Sequence, residues 1–268
     1  MKGDGLPEDE SDPKFVSALA RGIGVLRAFR RADITLSNQE LAAHTGIPKA
    51  TVTRLTHTLC KLGCLALVDS TGEYRLAAGA MTLGLSAAVA TDLQDRAMRE
   101  LEEMCVSDNA NVAGGLSERH NLSMIYLATY RKPRALALSF NLGGEAPLFA
   151  TAIGRAALMA LSEDKQEDLL DRARHRARLD TREKLGRWLA KAREDYAAYG
   201  YCTSFGDWRK EIHGIAAPVV LPDRSRNLAL NVGGLSFFNP PETLIAEHGD
   251  RLLTAAANLS LRQNTDAK

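Results

Sequence analysis

The sequence lacks any apolar run that approaches the ~20 residues needed by a membrane-spanning helix. Its opening residues, MKGDG, also lack the apolar core of a secretory signal. Hydrophobic residues make up 45% of the 268 positions and charged residues 25%, which is ordinary for a globular protein with a sizeable core. The length suits two domains. We therefore expect a cytoplasmic protein.

Cysteine is scarce, and its spacing argues against disulfides. The four residues are Cys60, Cys64, Cys105 and Cys202, which form neither a C-x-x-C pair nor a regular framework. This usage fits a reducing compartment. Cys60 and Cys64 share a helix face with His57, which would allow a metal or redox site. Burial in a small core is the interpretation that we prefer, because free cysteine is among the most buried residue types. We expect no metal and no cofactor.

Catalytic signatures are also missing. The sequence contains no G-x-S-x-G, P-loop or H-E-x-x-H motif. His213, beside Gly214, is the one tempting catalytic histidine. Because no partner nucleophile accompanies it, we interpret His213 as a side chain on an edge strand and predict that the protein is not an enzyme.

The charge that is present is unevenly distributed. Residues 1–13, which we expect to be a disordered acidic tail, hold one Lys and five acids. Residues 14–78 hold nine Lys or Arg and four acids, whereas the remaining residues carry 24 of each sign. The basic excess is therefore confined to one segment. This is expected if that segment binds a polyanion, although an ordinary solvated surface would also carry such an excess.

The same segment contains helix start and stop signals. Apolar residues in 15–29 recur at helical spacing. Ser37 and Glu40 form a capping box at the start of a second helix, which Gly46 ends. Pro48 suits the first turn of a third helix, and Gly63 is its expected stop.

The spacing of small and apolar residues predicts a helix-turn-helix. Ala42 is small where the third helix crosses, Gly46 makes the turn, and Val52 and Leu55 point inward. The third helix has no acid between Pro48 and Cys60, unlike most solvated faces, so we predict that it lies in the major groove of DNA. The expected DNA contacts are Ser37, Gln39, Pro48, Lys49, Ala50, Thr51, Thr53, Arg54, His57 and Arg75.

Two short strand signals follow the third helix. Residues 64–68 and 73–76 flank the turn-rich tetrapeptide DSTG. This pattern predicts a β-hairpin, which we call the wing, with Arg75 or the turn residues placed to touch phosphate.

At this point the sequence resembles a known family. The run from Leu36 to Leu76, with LSNQELAAHTGIPKATVTRLTHTLCKLGCL and a wing that leads into GEYRLAAGAMTLG, is similar to the DNA-binding domain of the isocitrate lyase regulator (IclR) family. The opening FVSALARGIGVLRAF is similar to the branch that regulates protocatechuate and other aromatic-acid pathways. Four C-terminal segments resemble the family in the expected order: PLFATAIGRA at 147–156, the stretch 192–201, GIAAPV at 214–219, and the strand 228–234.

The resemblance implies a domain plan and a function. It implies a winged helix-turn-helix at 14–76, a linker helix at 77–91 and a GAF/profilin-like α/β effector-binding domain at 92–268. Family members are homodimers or homotetramers on palindromic double-stranded operator DNA and act as repressors or activators. A small organic acid acts as effector, and no membrane is involved.

The C-terminal residues themselves predict an α+β domain. Strand signals fall at 111–115, 123–129, 135–140, 201–205, 214–221 and 227–235, and helix signals at 150–161, 165–198 and 241–261. An arginine-rich stretch, 172–178, sits among acids and alternates around its helix. We interpret it as a solvated surface rather than a second nucleic-acid site.

The family motifs also place the effector. The positions carried over from them are Ala152, Ile153, Gly154, Ser204, Gly214, Asn231 and Gly233. Better-known acid sensors of the family commonly have a Cys and serines where this chain has Gly214, Asn231 and Gly233. We expect a roomier, less polar pocket for a bulkier ligand, with an aromatic acid as the hypothesis. Easier strand packing at the two glycines is an almost equal alternative.

Overall fold

The computed structural model describes residues 13–29, 33–89, 93–106, 111–133 and 141–261, with the backbone alone for 85–89. Contacts divide the chain into two compact units, residues 1–90 and 91–268. In the described ranges, no helix has both the length and the apolar character needed to cross a membrane.

The first unit consists of helices and one hairpin. Its elements in chain order are α1 (Ser17–Arg27), α2 (Asn38–Thr45), α3 (Lys49–Lys61), β1 (Leu65–Val68), β2 (Glu73–Leu76) and α4 (Ala78–Val89). The predicted capping box is present, since Ser37 Oγ accepts a hydrogen bond from the Glu40 N–H while the Glu40 carboxylate accepts one from the Ser37 N–H. Gly46 ends α2 with φ 72°, in the left-handed region where glycine is favoured.

The core of this unit fixes how α2 and α3 cross. Leu36 and Leu41, on either side of the cap, are both buried and form a hydrophobic staple. Val52 of α3 is fully buried, and Leu55 packs against the same cluster. Leu36 also exchanges two backbone hydrogen bonds with Tyr74, which ties the wing to the start of α2. The predicted helix-turn-helix and wing are confirmed.

The second unit is built on one antiparallel sheet. Its strands are β3 (Val112–His120), β4 (Ser123–Arg131), β5 (Glu145–Pro147), β6 (Cys202–Phe205), β7 (Ile212–Val219) and β8 (Leu228–Leu235), in the spatial order β5-β4-β3-β8-β7-β6. Its helices are α5 (Leu93–Met104), α6 (Ala152–Met159), α7 (Glu163–Arg176), α8 (Leu179–Tyr199) and α9 (Pro241–Ser260). The predicted α+β class is confirmed.

The two faces of the sheet carry different cores. Alternate residues of β8 show this, since Leu228 and Leu230 pack with α5 and α9, while Ala229 packs with α6, α7 and α8. The sheet is therefore a layer between two helical layers. Asn231 also points to the α6 side of the sheet.

One predicted helix differs from the structure. The helix predicted over 165–198 is two helices, because Ala177 and Arg178 adopt extended backbone with ψ 148° and 157°. No Gly or Pro marks this break, and Ala177 instead packs against the core under α6. The strand predicted over 135–140 lies outside the described residues.

Candidate functional sites

The exposed face of α3 brings most of the predicted DNA contacts together. Lys49, Ala50, Thr53, Arg54, His57 and Thr58 are exposed, Thr51 is partly exposed, and the opposite side of the helix holds buried Val52, Thr56 and Leu59. Because α3 carries no acidic side chain, this face presents hydroxyls, methyls and cations. Pro48 and Gln39 are exposed beside it.

Ser37, a predicted DNA contact, also caps α2. Its hydroxyl donates to Glu40 Oε2 at 2.7 Å and accepts from the Glu40 N–H at 3.2 Å. Hydrogen bonds from the backbone and side chain of Ser37 also hold the pKa of Glu40 below its ordinary value. The hydroxyl proton is therefore already used within the cap.

A side-chain contact between α2 and α3 was not predicted from the sequence. Asn38 Nδ2 donates to Thr53 Oγ1 at 2.7 Å, and that hydroxyl in turn donates to the Lys49 carbonyl at 3.0 Å. Thr53 thus has no proton left to give to a base edge. Asn at the first position of α2 is the sequence signal that could have pointed to this contact.

The wing exposes its predicted phosphate contact. Arg75 on β2 is exposed and its Nη1 donates to the Leu76 carbonyl at 3.2 Å. The turn between the strands contains Gly72 with φ 70°, which permits the tight reversal.

In the second unit, a cavity opens between α6 and the sheet. Its lining residues are Tyr126, Ala146, Thr151, Ala152, Ile153, Ser204, Trp208, Ile212, His213, Gly214 and Asn231. Five of the seven predicted effector positions line it, and Gly154 and Gly233 do not. The aromatic residues at 126 and 208 were not predicted. The cavity is partly open, and its volume of about 30 Å³ is room for about two water molecules. The roomier pocket, which was expected relative to other members of the family, stays a prediction.

The first turn of α6 supplies the polar end of this cavity. Thr151 caps the helix, its Oγ1 accepting from the Gly154 N–H at 3.2 Å. Gly154 is needed for packing, because a Cβ there would lie 2.0 Å from the Leu148 carbonyl oxygen. The amides of Ala152 and Ile153, which precede the first intrahelical hydrogen bonds, are the ones left for a ligand.

Asn231 brings an unsatisfied acceptor to the same cavity. It is 5% exposed, and among the described residues its Oδ1 has no hydrogen-bond partner. Burial raises the pKa of the Tyr126 hydroxyl, and a hydrogen bond from the Asn231 side chain acts in the opposite direction. A bound ligand with a hydrogen-bond donor could satisfy this buried oxygen.

The two interpretations of Gly214 and Gly233, a roomier pocket and easier strand packing, can be compared in the strands under the cavity. Gly214 pairs with Gly233. A Cβ on Gly233 would lie 2.4 Å from the His213 carbonyl oxygen, whereas one on Gly214 would meet nothing closer than 3.6 Å. Strand packing accounts for Gly233, whereas a Cβ on Gly214 would make only ordinary van der Waals contacts. Ser204 lines the cavity, but its hydroxyl donates to the Ala150 carbonyl at 2.9 Å.

The interpretation of His213 as an edge-strand residue is wrong. β7 lies between β6 and β8, and His213 lines the cavity. Its Nδ1 is 2.9 Å from the Asn239 carbonyl oxygen, which requires a proton on that nitrogen. The ring therefore holds the loop after β8 beside the cavity, with Nε2 as its remaining polar atom.

A buried arginine fixes the loop between β6 and β7. Arg155 of α6 is 0% exposed, and its Nη1 lies 2.6 Å from the Thr203 carbonyl oxygen and 2.8 Å from Asp207 Oδ2. Its Nε donates to the Phe149 carbonyl at 2.9 Å. Asp207 precedes Trp208, so this ion pair holds the tryptophan against the cavity.

The cysteines near the end of α3 pack against the core of the first unit. Within the described ranges, no three His, Cys, Asp or Glu side chains are grouped as metal ligands would be. Burial raises the pKa of the Cys60 thiol, and Cys60 packs against the core of the first unit. Burial likewise raises the pKa of Cys105 to about 12.

Comparison with known proteins matches both units. The IclR helix-turn-helix domain matches residues 18–68, and the C-terminal domain of bacterial transcriptional regulators of the IclR type matches 85–261. The chain is 30% identical to the HTH-type transcriptional regulator TsaQ1/TsaQ2 of Comamonas testosteroni, over 91% of this chain and 87% of that protein. It is 28% identical to the Pca regulon regulatory protein of Pseudomonas putida, over 82% of this chain and 75% of that protein.

Solved structures of IclR-type proteins share the fold of this chain. A transcriptional regulator of the IclR family from Brucella abortus is 36% identical and superposes with a TM-score of 0.82, covering 94% of this chain and 95% of that one. A homologue from Microbacterium hydrocarbonoxydans, complexed with 4-hydroxybenzoate, has a TM-score of 0.71 at 20% identity, covering 91% and 97%.

Proposed function

The chain belongs to the IclR family of bacterial transcriptional regulators, and on this basis we propose that it is a dimeric, non-enzymatic regulator that binds a palindromic operator in the cytoplasm and responds to a hydroxylated aromatic acid. Members of the family have a DNA-binding helix-turn-helix and an effector domain. We place the DNA-binding domain at 14–76, the linker helix at 77–91 and the effector domain at 92–268.

The reading surface is the exposed face of α3. Lys49, Arg54 and His57 lie on this face. Arg and Lys are the side chains that pair most often with guanine edges, and Thr methyls contact thymine. Because buried Val52, Thr56 and Leu59 anchor the opposite side of α3 in the first unit, this face points outward and is free to enter a major groove. Arg75 in the wing would add a phosphate contact.

The effector pocket has an end suited to a carboxylate. The free amides of Ala152 and Ile153 sit at the positive end of the α6 dipole, which favours an anion. The walls at Tyr126 and Trp208 present aromatic rings, which favour an aromatic ligand.

Asn231 adds a preference within that class. Its Oδ1 is buried and requires a donor, and an ionised carboxylate has no proton to give. A ring hydroxyl does. A hydroxybenzoate therefore satisfies both ends of the site, and a structural neighbour is complexed with 4-hydroxybenzoate. The cavity must widen to admit such a ring. From about 30 Å³, the cavity would need less widening for a small keto acid, which is the alternative ligand.

Dimer formation has its own support in the first unit. Val16, Leu19 and Ile23 lie along one side of α1 and are 61%, 64% and 42% exposed. Their spacing places them on one helical face. Met81 and Leu83 of α4 are each 65% exposed. A second copy would cover these residues and present two α3 helices to half-sites about one helical turn apart.

The observation that carries the proposal is the exposed face of α3, which lacks acids. The test is a gel shift of the full-length protein on DNA from upstream of its own coding sequence, with a scrambled duplex of equal length as the control. Calorimetric titration with 4-hydroxybenzoate and with glyoxylate then identifies the ligand class. Equal binding to both duplexes would reject operator recognition. Binding of glyoxylate without 4-hydroxybenzoate would reject the aromatic effector alone.

A further inference from the structure

The start of the linker helix is locked onto the end of the DNA-reading helix. The Gly79 N–H donates to the Gly63 carbonyl at 3.0 Å, and the Ala77 N–H donates to the Cys64 carbonyl at 2.9 Å. Gly63 and Cys64 immediately follow α3, while Ala77 and Gly79 flank the start of α4. Two backbone hydrogen bonds thus join the segments that precede and follow the wing.

The acceptor side of this contact is rigid. Gly63, in the turn that closes α3, has φ 68°, and the Cys64 N–H bonds back to the Leu59 carbonyl at 2.9 Å. This is a Schellman closure, in which the last carbonyls of the helix are already satisfied by the turn. The Gly63 carbonyl cannot swing away from α4 without opening the end of α3.

The donor side admits no side chain. A Cβ on Gly79 would lie 2.6 Å from the Gly63 carbonyl oxygen, 2.9 Å from its carbonyl carbon and 3.3 Å from the Leu62 carbonyl oxygen. All three are backbone atoms of the rigid turn, so no rotamer change can relieve the contact. Gly84, further along the same helix, has nothing within 4 Å of such a Cβ.

From these contacts we infer that Gly79 is a positioning residue, and that Gly63, Cys64, Ala77 and Gly79 form a rigid joint through which the linker helix sets the orientation of α3. Because α4 leads into the effector domain along the chain, this joint is where a displacement of the linker becomes a rotation of the reading helix. The inference rests on the proposed dimeric operator binding, since orientation matters when two reading helices must fit two half-sites at once.

The experiment compares two DNA probes rather than one affinity. One duplex carries the palindromic operator defined by footprinting, and the other carries the same sequence with one half-site scrambled. For Gly79→Ala in the full chain we expect affinity for the palindrome to fall by about tenfold or more, with less than about a threefold change on the single half-site. Gly84→Ala, the matched control, should behave as wild type on both.

A second variant opens the joint at its other hydrogen bond. Ala77→Pro removes the N–H that bonds to the Cys64 carbonyl and places its ring Cδ in that gap, while retained half-site binding reports that the domain is folded. This variant should also weaken binding to the palindrome selectively. Insertion of one base pair between the half-sites should reduce its affinity less than it reduces the affinity of wild type.

Each outcome decides a separate point. Equal losses on both probes for Gly79→Ala and Ala77→Pro would show that the contact only stabilises the domain and would overturn the joint. Wild-type behaviour of both variants would overturn it as well. If wild type itself does not prefer the palindrome over the half-site, the proposed function fails first, whatever the variants do.

Discussion

Asn38 Nδ2 lies 2.7 Å from Thr53 Oγ1, so the first residue of α2 holds a side chain on the exposed face of α3. The Thr53 hydroxyl passes its own proton to the Lys49 carbonyl. Its oxygen is therefore engaged within the protein. We expect Thr53 to offer DNA a methyl group rather than a hydroxyl donor.

A double-mutant cycle tests this relationship. Asn38→Ala and Thr53→Val should each destabilise the first unit, and their coupling should be about 0.5–1.5 kcal/mol because each removes the same hydrogen bond. Operator affinity should fall less for Thr53→Val, which keeps a methyl, than for Thr53→Ser, which loses it. Urea unfolding and gel shifts supply the two measurements. Zero coupling would mean that the two side chains act independently.

The cations on α3 should carry DNA affinity. Lys49→Ala or Arg54→Ala should each weaken operator binding by about 1–3 kcal/mol if a base-edge contact is lost. A phosphate contact would instead lower the salt dependence by about one unit of slope and weaken all sequences alike. Lys184→Ala, an exposed lysine on α8 in the effector domain, is the charge-matched control. A variant of α3 that binds as tightly as this control does not read DNA at that position.

Asn231 should set the preference for a hydroxylated ring. In Asn231→Leu, the buried acceptor is gone, so 4-hydroxybenzoate should lose about 1–2 kcal/mol of binding relative to wild type while benzoate changes little. Ser204→Ala is the control, because the Ser204 hydroxyl is already bound to the Ala150 carbonyl. Calorimetry with both ligands measures the difference. An unchanged ratio of the two affinities in Asn231→Leu would remove Asn231 from the ligand site.

The ion pair between Arg155 and Asp207 should matter more than an exposed one. Asp207→Asn leaves a fully buried guanidinium without its charged partner, and we expect a loss of about 1–3 kcal/mol in the free energy of unfolding. Glu167→Gln breaks an exposed pair with Arg193 and should cost less than about 1 kcal/mol. Because Asp207 anchors the loop of Trp208, its replacement should also speed ligand entry in stopped-flow fluorescence. Matching unfolding curves for the two variants would refute the difference in burial as the cause.

His248 gives the second unit a pH dependence. The side chain is 1% exposed, and its Nδ1 lies 3.1 Å from the Met104 carbonyl oxygen. Burial lowers its pKa below the ordinary 6.5, with Arg251 and Lys132 acting in the same direction and Met104 and Glu247 against it. The unfolded state therefore binds the proton more readily, so stability is fully present above pH 6.5 and declines as the pH falls below it.

The measurement is urea unfolding across pH 5 to 8. Wild type should lose stability between about pH 6.5 and 5. His248→Gln, which has no group that titrates there, should lose less over the same interval. Parallel pH profiles for the two proteins would assign the effect to other groups.

Local signals were sufficient for the first unit. The capping box at Ser37, the turn at Gly46 and the hairpin were all predicted, because each depends on neighbours within a few residues of the chain. The outward face of α3 followed from the helical period. Asn38 and Thr53 are 15 residues apart, and their contact depends on the crossing angle of two helices, which no local pattern specifies.

By itself, the sequence determined the two-domain plan, the family and the α+β class, because these follow from periodicity, capping chemistry and motif order. The residues that meet DNA remain its prediction. Tertiary structure alone decided which effector positions share one cavity, since the pairing of β7 with β8 and the packing of α6 on the sheet bring together Ser204, Gly214 and Asn231 while excluding Gly154 and Gly233. It also decided that Gly79 must be glycine. The atoms that it meets belong to a turn that long-range folding, rather than sequence neighbourhood, places against it.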